Sequence, residues 1–344
     1  MTFQHNEVRQ LIHVTHYHRK PFGGQFSVER LFAAIRTAFP ENVGCRVVVC
    51  RFTSRGVFRR LWNLAEAPLY QSQINHITGD VYYLAALLHK RRTILTVLDC
   101  VNLRLESGLR RRILKLIWYE MPMWRSSVVV AISEFTKREL QKLVPAFAQR
   151  VVVIPVPLVG DYAPYPKTFN CSEPVILHIG TAPNKNIERV AQALRNIQCK
   201  IEIVGNLSVQ QKRGLAECGI KYSNCSCLSD AEMVAKYRKA DIVEFCSTYE
   251  GFGMPVIEAN AIGRTVVTSN VCSLPEVAGR AACLVDPFDV ESIRRGFQRV
   301  IRDANYRQEL IDLGYKNAAR YRADVIAQQY ADLYATLIET NGAR

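Results

Sequence analysis

The chain has 344 residues, 49% of them hydrophobic and 22% charged, with a formal net charge of +14. Mean hydropathy is near zero. This composition excludes a disordered or low-complexity chain and leaves room for two domains, each with its own core.

The elements alternate from the start. The segment LIHVTH reads as a strand, RKPFGG as the loop after it, and FSVERLFAAIRTAF as a helix with Val28, Leu31, Phe32, Ile35 and Phe39 at helical spacing. Strand RVVVCRF, a helical stretch near FRRLWNLA, strand INHIT and helix VYYLAALLH follow. Strand TILTVLD, helix LRRRILKLIWY, strand SVVVAIS, helix FTKRELQKLV and strand VVVIP complete the first half. Thr136 and Glu139 are spaced as a capping box for that last helix. Residues 157–173 hold three prolines and no period, which predicts a linker.

The rhythm restarts with strand PVILHIG, helix NIERVAQALRNI, strand KIEIVG, helix VQQKRGLAECG and strand IKYS. Helix DAEMVAKYRKA, strand DIVEFCS, the segment STYEGFGMPVIEANAIG and strand TVVTS come next, and the chain after CLVDP is helical. Repeated βα units on both sides of a linker predict two doubly wound parallel sheets, with ligands at the carboxyl ends of their strands in a cleft between them. The expected boundaries are 1–156, linker 157–173, 174–322, and a terminal helix over 323–344 packing back toward the first domain.

The charge is lopsided. Through Pro155 there are 23 basic against 10 acidic residues, and 22 against 21 thereafter. Nucleic acid, an anionic membrane surface or a phosphorylated substrate each accounts for that excess. No helix-turn-helix, RNP or zinc-finger pattern supports nucleic acid, so none is expected. In LRRRILKLIWY, Leu109, Ile113, Leu116 and Ile117 form an apolar stripe beside Arg110, Arg111, Arg112 and Lys115. With Lys90–Arg92 and the segment around Arg59, it could dock on lipid headgroups, but the expectation is that the stripe faces the core and the arginines face water.

Apolar runs are strand-sized, far short of the roughly 20 residues of a spanning helix, and the polar N-terminus does not read as a secretory signal. The expected location is the cytoplasm. Eleven scattered cysteines without a CxxC, and a lone CxC at Cys225 and Cys227, read as reduced, mostly buried thiols. His13, His16 and His18 lack acidic or cysteine neighbours, which argues against a metal.

The segment EGFGMPVIE carries the chemistry. Glu250 follows a strand, Pro255 suits the first turn of a helix over about 254–262, and Gly263 suits its C-terminal cap. Glu258 then lies about one turn, roughly 6 Å, along the axis. Gly251 and Gly253 let backbone approach a ligand, and the first N–H groups of the helix point outward. Backbone donors between two carboxylates suit a ligand with both phosphate and hydroxyls, and a nucleotide sugar has both.

EGFGMPVIE resembles the Glu-x7-Glu signature of the retaining GT-B glycosyltransferases, family 4. HIGTAPNKNIERV resembles that family's diphosphate-binding segment and LPEVAG its next helix, while NHITGD and AISEFTKREL resemble its first half. The resemblance implies a GT-B fold of two Rossmann-like domains facing a central cleft. It implies transfer of a hexose from a nucleotide sugar to a saccharide acceptor, expected to be lipid-linked, at the inner membrane face in cell-surface polysaccharide synthesis. By position, Glu258 binds the donor ribose, while Glu250 with Phe252, Gly253 and Met254 holds the transferred sugar. Lys185 matches the diphosphate lysine, near Gly180. Its partner arginine is absent, with Thr181 and Asn184 where it might stand. Gly23 and Gly24 match the phosphate-packing loop, and Val204, Gly205 and Leu228 lie where base and sugar are selected. Leu98 precedes Asp99 where many relatives have His-Asp, so His76 or His16 is a candidate for the sugar side. No Asp-x-Asp pair is present, so no metal or other cofactor is implied. The two departures leave a catalytically silent nucleotide-sugar binder as the alternative.

Overall fold

The computed structural model describes residues 11–21, 27–101, 103 and 107–342. They form two compact units: Met1–Pro157 with Ala323–Arg344, and Leu158–Arg322.

The first unit is built on six parallel strands: β1 (Ile12–His18), β2 (Val43–Val49), β3 (Ile74–Ile77), β4 (Thr93–Val97), β5 (Val128–Ala131) and β6 (Val151–Val153). Their order is β2-β1-β3-β4-β5-β6. The central strands β3 and β4 are buried throughout, as parallel strands covered on both faces must be, hence runs such as TILTV. Helix α1 (Ser27–Thr37) and the terminal helix (Ala323–Gly342) pack on one another. They share a core in which Phe32, Ile35, Ile326, Tyr330 and Tyr334 meet Val14, Ile74 and Ile94.

Three local expectations change. VYYLAALLH is a 3-10 turn at Tyr82–Ala86 rather than an α-helix. Tyr82 to Ala85 are all buried, so no polar side exists for an amphipathic helix to present. The helix Glu134–Leu143 is capped by Ser133, whose hydroxyl accepts from Thr136 N at 3.0 Å, so the cap lies one turn before the Thr136–Glu139 box. The stretch LRRRILKLIWY is a helix at Gly108–Lys115 that widens to a π turn at Leu116–Glu120 just before Pro122, which has no N–H to donate. Its stripe does not face the core: Leu109, Ile113, Leu116 and Ile117 are all exposed. Leu114 and Trp118 pack inward in their place. Five of the eleven cysteines are buried.

The second unit has its own six-stranded parallel sheet: β7 (Val175–Ile179), β8 (Lys200–Val204), β9 (Lys221–Cys225), β10 (Ile242–Phe245), β11 (Thr265–Ser269) and β12 (Cys283–Val285). Their order is β12-β11-β10-β7-β8-β9. Residues 158–173 have no helix or strand but are tied to this unit at several points. Leu158 N donates to Tyr321 O, Tyr165 N to Ile262 O, and Lys167 pairs with the buried Asp241.

Candidate functional site

The chain enters the second sheet at β7, moves outward to β8 and β9, then returns to the other side of β7 with β10. The carboxyl ends of β7 and β10 therefore flank the point where strand order reverses, where open α/β sheets bind ligands. The two loops leaving these ends carry Gly180 to Lys185 and Thr248 to Gly253.

The first loop turns sharply. Gly180 has φ 92°, and an added Cβ would stand 2.9 Å from Cε of Lys185. The lysine stem runs across this bare backbone. Its ammonium lies 4.3 Å from the centroid of the Phe245 ring and donates to Glu250 Oε1 at 2.6 Å. Asn184 stands beside it, with Nδ2 donating to Tyr249 O at 2.9 Å and to Glu250 Oε1 at 3.2 Å. Thr248 N donates to Asn184 O, closing the two loops together. Thr181 Oγ1 donates to Asn206 O, and Gly205, at φ 138°, leaves room for the Thr181 methyl. Gly180 N donates to Val204 O, which brings Val204 to the same edge. Leu228 is half-buried in the loop after β9.

The second loop runs into helix α9 (Met254–Ile262). Its N-cap is Gly253 at φ 116°, where a Cβ would meet Leu274 at 2.5 Å. Pro255 lies in its first turn, and Gly263 ends it at φ 83°. Ser273, fully buried, has its hydroxyl 3.0 Å from Glu250 O and 2.7 Å from Phe252 O. Phe252 is buried against Tyr321, while Gly251 and Met254 are half-buried. On α9, Glu258 accepts from Tyr237 Oη at 2.5 Å. Tyr237 is fully buried, and desolvation, with the Glu258 charge beside it, raises its phenol well above the usual range. The phenol therefore stays protonated and donates.

Lys185, Asn184, Thr181, Gly180, Glu250 and Val204 thus come together at one sheet edge, with Glu258 one turn into the helix that leaves it. Tyr237 and Ser273 had no sequence signal, because each is placed by tertiary packing. Tyr237 lies in the last turn of the helix Asp230–Lys239, and Ser273 sits in a turn. The arrangement offers a cation, helix N–H groups and two carboxylates within one loop system, which suits an anionic leaving group carrying hydroxyls on either side.

The first-unit candidates are placed differently. Gly23 and Gly24 lie outside the described residues. His16 and His76 have no exposed surface. His76 bonds to Tyr334 Oη at 2.7 Å and Thr96 Oγ1 at 2.7 Å, and His16 lies 3.1 Å from the same tyrosine oxygen. Both lie in the interior of the unit: His76 is packed among Phe32, Tyr330 and Tyr334, and His16 against Phe32 and Tyr334. Burial lowers the pKa of His76 to about 3 and of His18 to about 4, and lowers that of His16 as well. Asp99 is half-buried at the end of β4 and accepts from Val101 N at 3.1 Å. Desolvation raises its pKa despite that bond.

Residues 166–317 match the family model described as glycosyl transferases group 1. An Escherichia coli protein named O-antigen chain mannosyltransferase B is 28% identical over 62% of this chain, which spans about three fifths (61%) of that relative. A serotype-specific mannosyltransferase of Escherichia coli is 31% identical over 33% of this chain, covering 14% of its own length. Among solved structures, the Anabaena protein HepE in complex with UDP and glucose aligns over 94% of this chain and 100% of its own, with a TM-score of 0.75 at 16% identity.

Proposed function

We propose that the protein, whose residues 166–317 match the model of the glycosyl transferases group 1 family, transfers a hexose from a nucleotide-sugar donor to a saccharide acceptor during synthesis of a cell-surface polysaccharide of the O-antigen type. The relatives' names make mannose the first sugar to test. The observation that carries the reading is Lys185 and Glu250 paired at the strand-order reversal, with Glu258 held by Tyr237 one helical turn away.

In this reading Glu258 accepts from the two ribose hydroxyls. The N–H groups that open α9 and the Lys185 ammonium take the diphosphate. Binding then replaces the Lys185–Glu250 contact with Lys185–phosphate, and the Glu250 carboxylate turns to the hydroxyls of the sugar. As the anomeric C–O bond breaks, negative charge grows on the β-phosphate, where Lys185 and the helix N-terminus stabilise it most. The acceptor hydroxyl then bonds to the anomeric carbon from the face the diphosphate leaves, passing its proton to the departing phosphate oxygen, so that no protein nucleophile is required and configuration is retained. The acceptor is a lipid-linked saccharide, and the basic first unit works against the membrane that carries it.

A thermal-shift panel of UDP-, GDP- and ADP-sugars, run on the protein and on Glu258→Ala, tests this. A donor at 100 times its Kd stabilises the fold by about 2.7 kcal/mol, and the variant loses that gain. A panel with no stabilising donor sinks the reading. Asn184 in place of an arginine is the observation that favours a silent binder; stabilisation without transfer or hydrolysis of the donor would decide for it.

A further inference from the structure

Two neighbouring stretches of the first unit turn their apolar sides to solvent. In the helix Val57–Glu66, Val57, Phe58, Leu61 and Trp62 share one face and are all exposed, Phe58 at 88%. Asn63 is buried behind them, and Leu64 packs on the core. In the stretch from Gly108 to Glu120, Leu109, Ile113, Leu116 and Ile117 share a face and are exposed in the same way. The Arg60 guanidinium lies 4.9 Å from the Trp118 ring centroid, and both Asn63 and Trp118 contact Tyr83. The two apolar faces therefore belong to one region of the surface.

One exposed leucine carries no information, but eight large apolar side chains aligned on two adjacent helices do. Their neighbours decide what covers them. Arg59, Arg110, Arg111 and Arg112 are exposed beside the stripes, and no acidic residue occurs between 42 and 65 or between 107 and 119. A second copy docking through the same face would bring these guanidinium groups against their own kind. An anionic bilayer presents the complement, phosphates at the level of the arginines and hydrocarbon beneath them.

We propose that these two helices seat the first unit on an anionic phospholipid bilayer. Phe58, Trp62, Ile113 and Ile117 enter the boundary between headgroups and acyl chains, and Arg59 and Arg110 to Arg112 bind lipid phosphates. The proposal deepens the reading of a lipid-linked acceptor and rests on it for biological context alone. Donor turnover in vesicle-free buffer tests that reading separately.

The test is co-sedimentation of the full chain with vesicles of phosphatidylcholine, and of phosphatidylcholine mixed with phosphatidylglycerol, at low and high salt. Binding is expected to the anionic vesicles, reduced but not abolished by salt. Neutralising one arginine, as in Arg111→Gln, weakens binding about five-fold, the effect of one basic residue at an anionic surface. The pairs Phe58→Ser with Trp62→Ser, and Ile113→Ser with Ile117→Ser, each weaken it at least about ten-fold and leave donor turnover in buffer unchanged. Brominated acyl chains quench tryptophan emission, and Trp62→Phe removes most of that quenching. Three outcomes overturn the proposal: no preference for anionic vesicles, binding abolished by salt and unaffected by the serine pairs, or self-association in buffer that the serine pairs abolish.

Discussion

At Gly180 the backbone turns at φ 92°, and the space a Cβ would take is filled by the stem of Lys185. Gly180→Ala therefore meets two penalties. A left-handed conformation costs an L residue about 1–2 kcal/mol, and the lysine must shift. The expected outcome is a lower melting temperature and weaker donor binding together, read by calorimetry and donor titration. At Tyr237 only the phenol is at stake. Its hydrogen bond to the Glu258 carboxylate belongs to a class worth about 1.5–3 kcal/mol. Tyr237→Phe should raise the donor KM about ten-fold and change kcat little, because ribose binding is the same in the ground and transition states. An equal fall in kcat with KM unchanged would move Tyr237 out of that positioning role. The two carboxylates stood out as candidates in the sequence because their spacing on one loop and one helix is local, while Lys185 stood out through the family resemblance. The residues that hold them, Tyr237 and Ser273, come from elements distant in sequence and have no local pattern.

Among the elements, the strand β1 shows how far periodicity goes. Residue parity puts His16 and His18 on one face of β1 and His13 on the other, and the structure has the first two buried and His13 exposed. What parity could not give is the terminal helix lying over that face, with Tyr330 and Tyr334 closing around His16 and His76. The consequence is acid sensitivity. These histidines titrate near pH 6.5 in the unfolded chain, but about 4 for His18 and about 3 for His76 when folded. Between those values the unfolded chain binds more protons, so stability falls as pH drops below about 6.5. Arg36, 2.9 Å from His18 Nε2, adds to the penalty on a charged ring. Urea unfolding followed by tryptophan emission isolates this effect, since all three tryptophans (Trp62, Trp118 and Trp124) lie in the first unit. The midpoint should fall from pH 7 to pH 5, and a flat profile would show the cluster to be hydrated. The C-terminal cap of α9 gives a second test. Gly263 sits at φ 83° with Tyr315 Oη where a Cβ would be, so Gly263→Ala should lower the thermal midpoint of the second unit while leaving that tryptophan signal unchanged.

For the molecule as a whole, alternating strand and helix patterns were enough to foresee two parallel α/β sheets, because buried parallel strands leave dense Val-Ile-Leu runs in any sequence that makes them. They also marked Glu250 and Glu258 as candidates, since a strand end, a glycine turn and one helical turn are short-range geometry, whereas Lys185 was singled out by the family resemblance. Other features were decided only by tertiary structure. The order β12-β11-β10-β7-β8-β9 brings Lys185 to Glu250 across 65 residues of chain. Packing turned the Leu109–Ile117 stripe to solvent and gave its place in the core to Leu114 and Trp118. A helical pattern states that two faces differ; which of them meets the core depends on what other elements already fill it, and that is a property of the folded chain alone.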